Sequence, residues 1–186
     1  MEKEFYDKLV KEVFTEQNEK ELTDVINLVE GISPKVIVEI GMKSGGTLNF
    51  WRHLVSSDGL VVGIDSQNDI KWDVSTDSRV KIIIGNSLDY RTYQNFLAAL
   101  GGKEIDFLFI DGGHMYHEAK SDFYTYGWYV KKGGLIAIHD THLDSVGEPR
   151  GAVKQFWQEV KDRSGRKWEV VYDEKVNTGM GVVRLG

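Results

Sequence analysis

The sequence contains no cysteine, and its only two prolines are Pro34 and Pro149. The absence of cysteine excludes disulfide bonds, thiolate metal sites and a cysteine nucleophile. Both prolines lie near predicted connections, so neither interrupts a predicted helix or strand. The chain also lacks a run of roughly 18 apolar residues, the length that a membrane helix needs. We therefore expect no segment that spans a membrane.

The chain has no excess of positively charged residues either. The 186 residues carry a formal net charge of −6, which argues against a surface built mainly to bind nucleic-acid phosphates. The N-terminus has neither the basic start nor the apolar stretch of a signal peptide, and we expect a cytoplasmic protein. Apolar residues make up 41% and charged residues 28% of the chain, as is typical of a globular domain that can bury a core.

Apolar runs and amphipathic patterns alternate along most of the chain. The predicted strands cover residues 35–40, 60–65, 80–85, 105–111, 135–140, 168–172 and 181–185. The predicted helices cover residues 1–20, 21–30, 47–55, 90–100, 116–130 and 153–161. This alternation predicts an α/β fold with a doubly wound, mostly parallel sheet of seven strands. The connection between the last two strands is too short for a helix, so they should form an antiparallel hairpin at the edge.

The whole chain, residues 1–186, is expected to form one domain, with N-terminal helices in residues 1–30 and a core over residues 35–185. The tryptophans that helical spacing predicts to lie in the core are Trp51, Trp128 and Trp157. The aromatic segment 123–129 is interpreted as part of a helix that packs on the sheet. Such a segment could also leave a face for self-association, so a homo-oligomer stays an alternative. The run 131–134 predicts a turn before the fifth strand.

A glycine-rich turn follows the first predicted strand. The chain reads Glu39-x-Gly41-x-x-x-Gly45-Gly46, and Asp65 ends the second predicted strand. Ligands of parallel α/β sheets bind beyond the carboxyl ends of the strands, where glycines let the backbone come close. A dinucleotide fingerprint needs glycine at position 39, and a phosphate loop needs lysine directly after Gly45. Both patterns fail, and the sequence predicts a nucleoside site of another kind.

Acidic residues and histidines follow the fourth and fifth predicted strands. They are Asp111, His114, His139, Asp140 and His142. Because these strand ends meet at the ligand edge of a doubly wound sheet, we expect the side chains to share one cleft beside the nucleoside. Carboxylates and imidazoles can bind a divalent cation, and oxygen ligands favour magnesium. Histidine also supplies a base whose ordinary pKa lies near neutrality.

The glycine turn resembles motif I of the class I S-adenosylmethionine-dependent methyltransferases, which reads acid-x-Gly-x-x-x-Gly. The resemblance implies that S-adenosylmethionine is the cofactor and that Gly41 and Gly45 lie close to its methionine end. It also implies that Asp65 accepts hydrogen bonds from the ribose hydroxyls. The cofactor-binding residues so implied are Glu39, Gly41, Gly45, Asp65, Asn86, Ser87 and Asp111, with Asn86 and Ser87 beside the adenine.

A narrower resemblance is carried by residues 109–114 and 133–140, with further matches at residues 151–157 and 179–183. These segments are similar to a methyltransferase family that includes cephalosporin-hydroxylase-like proteins and the sugar O-methyltransferases of macrolide biosynthesis. The similarity extends over about residues 35–185. It implies O-methylation of a small hydroxylated acceptor such as a sugar or another natural product.

The same family implies roles for individual residues. In its magnesium-dependent members, the strand-four aspartate and an acidic pair after strand five bind the metal. These positions are occupied here by Asp111, His139 and Asp140. The base is the histidine three residues after the first aspartate, so the implied catalytic residues are His114, Asp111 and Asp140. His139 departs from the pattern, because the metal-dependent members carry an acid there, and the expected magnesium ion has one negative ligand fewer.

Two other functions fit parts of the sequence. A nucleoside-binding or regulatory module without catalysis would use the glycine turn and Asp65. A metal-dependent hydrolase or hydroxylase would instead use His114, His139, Asp140 and His142. In each case the expected partner is a small molecule, with neither nucleic acid nor a membrane involved.

Overall fold

A computed structural model describes residues 4, 7–9, 15–142, 151–162, 166–170 and 179–186 of the chain. Its strands are β1 (Val36–Ile40), β2 (Leu60–Asp65), β3 (Val80–Ile84), β4 (Ile105–Ile110), β5 (Val130–His139), β6 (Arg166–Val170) and β7 (Met180–Arg184). They form one sheet in the order β3-β2-β1-β4-β5-β7-β6. Strands β1 to β5 are parallel, and β7 is antiparallel to both β5 and β6. The predicted seven-stranded, mostly parallel sheet with its antiparallel C-terminal hairpin is confirmed.

Helices cover both faces of this sheet. They are α1 (Glu19–Glu30), α2 (Gly46–Leu54), α3 (Tyr90–Leu100), α4 (Tyr116–Gly127) and α5 (Gly151–Lys161), with a short 3-10 helix at Val74–Thr76. Helices α1 and α2 pack on one face, where Trp51 contacts Phe107 edge to face. Helices α3, α4 and α5 pack on the other face, where Phe96 and Trp157 are buried. No helix among the described residues is both long and apolar enough to cross a membrane.

The start of α1 corrects the predicted N-terminal helix over residues 1–20. Residues 7–9 are helical, but residues 15–18 are not. The side chain of Asn18 accepts hydrogen bonds from the backbone N–H groups of Lys20 and Glu21 at 3.0 and 3.3 Å. Such a cap begins a new helix, because it satisfies N–H groups that lack a partner inside the helix.

Strand β5 also begins earlier than predicted. The predicted turn over residues 131–134 is wrong, because these residues lie inside the strand. The pairing with β4 passes directly from Val130 to Leu135, so β5 bulges between the two. Gly133 adopts a φ of +80° in this bulge, and its N–H donates to the backbone oxygen of Leu185 at 2.8 Å. The glycines therefore support an irregular strand rather than a connection.

Trp128 corrects the predicted core. Trp51 and Trp157 are buried as predicted, but Trp128 is 83% exposed. Helix α4 ends at Gly127, before the predicted end at residue 130. A residue beyond the last helical turn no longer follows the helical period. The periodicity therefore predicted burial for Trp128, whose side chain is exposed.

Asp106 ties three strands together at the edge opposite the glycine turn. One carboxylate oxygen accepts the backbone N–H groups of Lys35 and Val36, at 2.8 and 2.7 Å, where β1 begins. The other oxygen forms an ion pair with the Lys131 side chain of β5. Asp106 lies in β4 and is buried, so its removal would leave these donors without an acceptor.

Replacing Asp106 by alanine should lower the free energy of unfolding by about 3 kcal/mol, because buried N–H groups lose a charged acceptor. Urea denaturation followed by circular dichroism measures this change. Asp58→Ala is the matched control, since Asp58 is an exposed acid whose carboxylate contacts the side chains of Lys35 and Ser56. Its urea midpoint should equal that of the wild type. Equal midpoints for all three proteins would contradict the role given to Asp106.

Candidate active site

A cavity of about 570 Å³ opens at the carboxyl ends of the parallel strands. Its volume lies in the range of small-molecule sites. The residues predicted from the sequence that line it are Gly41, Asp65, Asn86, Ser87, Asp111, His114, His139 and Asp140. The structure therefore brings the glycine turn and the acid–histidine cluster into one cavity. Three other predicted residues, Glu39, Gly45 and His142, do not line it in the described part of the chain.

Gly41 brings the loop after β1 against the loop after β4. Its φ of +85° lies in the left-handed region, and a Cβ here would lie only 1.9 Å from the backbone oxygen of Asp111. The N–H of Gly41 donates to the backbone oxygen of Ile64, and the N–H of Asp111 donates to that of Ile40, both at 2.8 Å. No side chain fits at this contact, so the position requires glycine.

Gly45 shapes the far end of the same loop. It has a φ of +78° and directly precedes α2. Its backbone oxygen accepts the indole N–H of Trp72 at 2.9 Å, and the guanidinium of Arg52 lies 4.7 Å over the Trp72 ring. Gly45 thus supports the loop from behind, away from the cavity.

Asp65 holds the glycine loop from the end of β2. Its carboxylate accepts the backbone N–H of Lys43 at 2.8 Å and that of Gln67 at 3.0 Å. Lys43 has a φ of +45°, which is an uncommon conformation for a residue with a side chain. The bond from Asp65 therefore stabilises a strained turn, and the same carboxylate faces the cavity.

Glu39 lies beneath the loop and is completely buried. One of its carboxyl oxygens accepts the hydroxyl of Thr47. Burial raises the pKa of Glu39 well above its ordinary value, and the nearby charges of Asp111 and Asp65 add to that effect. Burial thus favours the neutral form of Glu39, which supports the loop from inside the protein.

Two histidines and two aspartates form a contiguous cluster at the ends of β4 and β5. Nε2 of His114 lies 3.0 Å from Oδ2 of Asp140. Nδ1 of His139 lies 3.1 Å from Oδ1 of Asp111 and 3.4 Å from Oδ1 of Asp140. Asp140 adopts a φ of +60°, in the left-handed region, and aspartate tolerates that region better than most residues. Asp140 is therefore shared between the two histidines.

Charges within the cluster stabilise one another. Burial alone would lower the pKa of His139, but the carboxylates of Asp111 and Asp140 outweigh it and raise that pKa to about 10. Burial would raise the pKa of Asp140, but His114 and His139 hold it well below its usual range. Asp111, His139 and Asp140 each offer an atom within 4.8 Å of the others, a spacing that could hold a metal ion.

Residues 15–18 contribute side chains that the sequence did not predict. Nε2 of Gln17 donates to Oδ2 of Asp111 at 2.6 Å, and Glu16 forms an ion pair with Lys43 of the glycine loop. Both Glu16 and Gln17 line the cavity. No motif marks these residues, because their contacts lie far away in sequence and involve ordinary polar groups.

Asp122 is a second buried acid behind the cavity. It lies on α4 and is 1% exposed. A Cβ on Gly112, which lines the cavity, would lie 3.6 Å from its carboxyl oxygen Oδ2. Burial raises the pKa of Asp122 to about 7, although the neighbouring Ser87 side chain opposes that rise. The acid therefore stands behind the loops that carry Ser87 and Gly112.

The fold and the cavity together define a class I methyltransferase. Residues 38–141 match the family model described as "Methyltransferase domain", and the chain belongs to that family. Among curated proteins it is similar to the uncharacterized protein R132 of Acanthamoeba polyphaga mimivirus. The two are 33% identical over 156 residues, which cover 76% of this chain and 69% of that protein.

Solved structures show the same fold. The O-methyltransferase from Bacillus cereus in complex with S-adenosylhomocysteine is similar with a TM-score of 0.73 at 15% identity, covering 99% of this chain and 92% of that one. MycE methyltransferase from the mycinamycin biosynthetic pathway was solved with magnesium, S-adenosylhomocysteine and mycinamycin VI. Its TM-score is 0.68 at 17% identity, covering 97% of this chain and 53% of that one.

Asp122→Asn should make stability less dependent on pH. The native state binds the Asp122 proton more tightly than the unfolded chain does, so this group costs stability as the pH rises from about 4 to about 7. The unfolding free energy of the variant minus that of the wild type should therefore grow by about 3 kcal/mol between pH 5 and pH 8. Urea denaturation at both pH values measures it.

Asp24→Asn is the control for this experiment, because Asp24 is an exposed residue of α1. Its difference from the wild type should stay the same at both pH values. A constant difference for Asp122→Asn would show that Asp122 ionises as it does in the unfolded chain.

Proposed function

We propose that this chain is an S-adenosylmethionine-dependent methyltransferase that methylates a hydroxyl oxygen of a small acceptor, such as a sugar or another natural product. One observation carries the proposal: His114, paired with Asp140, faces the same cavity as Gly41 and Asp65. A base thus stands beside the predicted cofactor loop. The S-adenosylhomocysteine in the Bacillus cereus enzyme and in MycE supports the choice of cofactor.

The cofactor is proposed to lie along the ends of β1, β2 and β3. Gly41 permits close approach of the backbone, and Asn86 and Ser87 offer polar groups beside the adenine. Asp65 binds the ribose hydroxyls in this proposal. Each of its oxygens already accepts a backbone N–H, and a carboxylate oxygen has a second acceptor position for a hydroxyl. Glu39 and Gly45 hold the loop without touching the cofactor.

The reaction follows from the position of His114. When bound, S-adenosylmethionine supplies a methyl group on a sulfonium, and transfer leaves the C–S electron pair on a neutral sulfur. As the acceptor oxygen forms its new bond to the methyl carbon, its O–H proton passes to the imidazole of His114. We assign the resting proton of His114 to Nε2, which faces Asp140, so that Nδ1 is the basic nitrogen. Asp140 then stabilises the imidazolium.

The predicted magnesium ion has to fit the donor atoms that are present. Magnesium prefers octahedral oxygen ligands, usually from carboxylates, substrate and water. The cluster offers carboxylate oxygens from Asp111 and Asp140, but the nitrogen of His139 lies between them. This arrangement fits magnesium poorly, and no step of the proposed reaction is assigned to a metal.

The other two functions have less support. The hydrolase or hydroxylase alternative needs His142, which does not line the cavity in the described residues. The binding module without catalysis does not use the pair formed by His114 and Asp140. Family membership and the pair together favour methyl transfer.

Asp65→Ala should weaken the binding of S-adenosylhomocysteine by about tenfold or more, because hydrogen bonds to a charged acceptor are lost. Isothermal titration calorimetry measures the affinity. Asp69→Ala is the control, since Asp69 is exposed and does not line the cavity, and its affinity should match that of the wild type. If the wild type binds neither S-adenosylmethionine nor S-adenosylhomocysteine, the proposed function is wrong.

His114→Ala should lower the rate of methyl transfer by about 10²- to 10⁴-fold, the usual contribution of a general base. Its affinity for S-adenosylhomocysteine should stay close to that of the wild type. The assay follows S-adenosylhomocysteine production with a panel of hydroxylated acceptors. His117→Ala, at an exposed neighbouring histidine, should leave both quantities unchanged. A His114 variant that loses rate and affinity together would contradict the assignment of His114 as the base.

A further inference from the structure

His139 lies between two carboxylates at the end of β5. Its Nδ1 is 3.1 Å from Oδ1 of Asp111 and 3.4 Å from Oδ1 of Asp140. All three side chains are largely buried, with exposed fractions of 11% for His139, 17% for Asp111 and 9% for Asp140. A single nitrogen atom therefore contacts both acids, as a bridging cation would.

Two carboxylates this close are stabilised by a positive charge beside them. Each can place an oxygen within 4.8 Å of the other, and like charges at that range in a largely buried site repel one another. A divalent ion is one source of positive charge, and the MycE complex contains magnesium. An imidazolium is another source, because it carries a positive charge and donates N–H groups to carboxylates.

We propose that His139, as an imidazolium, is the built-in cation of this site and takes the place of a divalent metal. It acts as a positioning residue for Asp111 and Asp140, and Asp140 in turn holds Nε2 of His114 at 3.0 Å. The inference rests on the proposed function only for the role of His114. The assignment of His139 as the cation depends only on the contacts within the cluster.

The charge at position 139 supports this substitution of one cation for another. With an acid at position 139 beside Asp111 and Asp140, three carboxylates and one divalent ion would leave the cluster with one negative charge. Replacing that acid by an imidazolium adds two units of positive charge, which is the charge of the ion itself. The cluster keeps the same net charge with no ion.

The two cations also exclude one another. To become a metal ligand, His139 as an imidazolium would have to lose a ring proton and offer a lone pair instead. Loss of that proton would remove the ion pairs at 3.1 and 3.4 Å. Imidazole nitrogen is moreover a poor ligand for magnesium compared with oxygen. The wild-type site should therefore resist divalent ions, whereas a carboxylate at position 139 should admit them.

The test is His139→Asp, with manganese and magnesium as probes in the absence of cofactor and acceptor. Manganese binding is measured by electron paramagnetic resonance, and the thermal unfolding midpoint is measured with each ion. We expect the variant to bind manganese at least about tenfold more tightly than the wild type, since it offers a third carboxylate. Both ions should raise its unfolding midpoint by mass action and leave that of the wild type unchanged.

Two further variants make the result decisive. His142→Asp introduces the same carboxylate two residues from Asp140 but off the cavity wall, and it should gain no manganese affinity. His139→Gln removes the cation without adding an acid, so manganese should raise its unfolding midpoint more than that of the wild type. This second variant decides the question if His139→Asp fails to fold with or without metal.

Several results would overturn the proposal. One is tight, stoichiometric binding of magnesium or manganese by the wild type at the cluster, abolished in Asp111→Asn. Another is a set of position-139 variants that respond to metal no more than the wild type does. Because neither measurement uses methyl transfer, failure of this inference is distinguishable from failure of the proposed function, which the binding of S-adenosylhomocysteine tests separately.

Discussion

The contact between Gly41 and the backbone of Asp111 is the constraint on which the site depends. With no side chain at Gly41, the loop after β1 lies directly against the loop after β4. Asp111 then directs one carboxylate oxygen to Gln17 and the other to His139. The glycine loop and the acid–histidine cluster are consequently parts of one packing arrangement. A shift of either loop would move the proposed cofactor and the proposed base relative to each other.

Burial divides the acids around the cavity into two groups. Glu39 and Asp122 lie behind the loops, where burial raises the pKa of each. Asp140 faces the cavity, where His114 and His139 keep its pKa low. The carboxylate charge of Asp140 therefore lies beside the two histidines. In the proposed reaction His114 gains a proton as the sulfonium charge is lost. Positive charge therefore moves toward the carboxylate of Asp140, which pairs with His114.

The sequence predicted the features that depend on local pattern. Apolar runs located the strands, and the need for a glycine at a close backbone contact made Gly41 recognisable. Gln17 could not be predicted, because its bond to Asp111 arises from the folding of a distant polar segment onto the cavity. The exposure of Trp128 and the early start of β5 were missed for a related reason. Both depend on where a helix stops and how a bulge pairs, which periodicity does not determine.

An internal cation at His139 changes what the rest of the site must do. A metal can bind the acceptor oxygen and lower the pKa of its hydroxyl. An imidazolium held between Asp111 and Asp140 stabilises the acids but offers no open coordination position. Proton removal then depends on His114 and on the carboxylate of Asp140 that orients it. Because His139 and His114 share Asp140, the residue that replaces the metal also fixes the base, and the two functions of a metal centre are divided between neighbouring histidines.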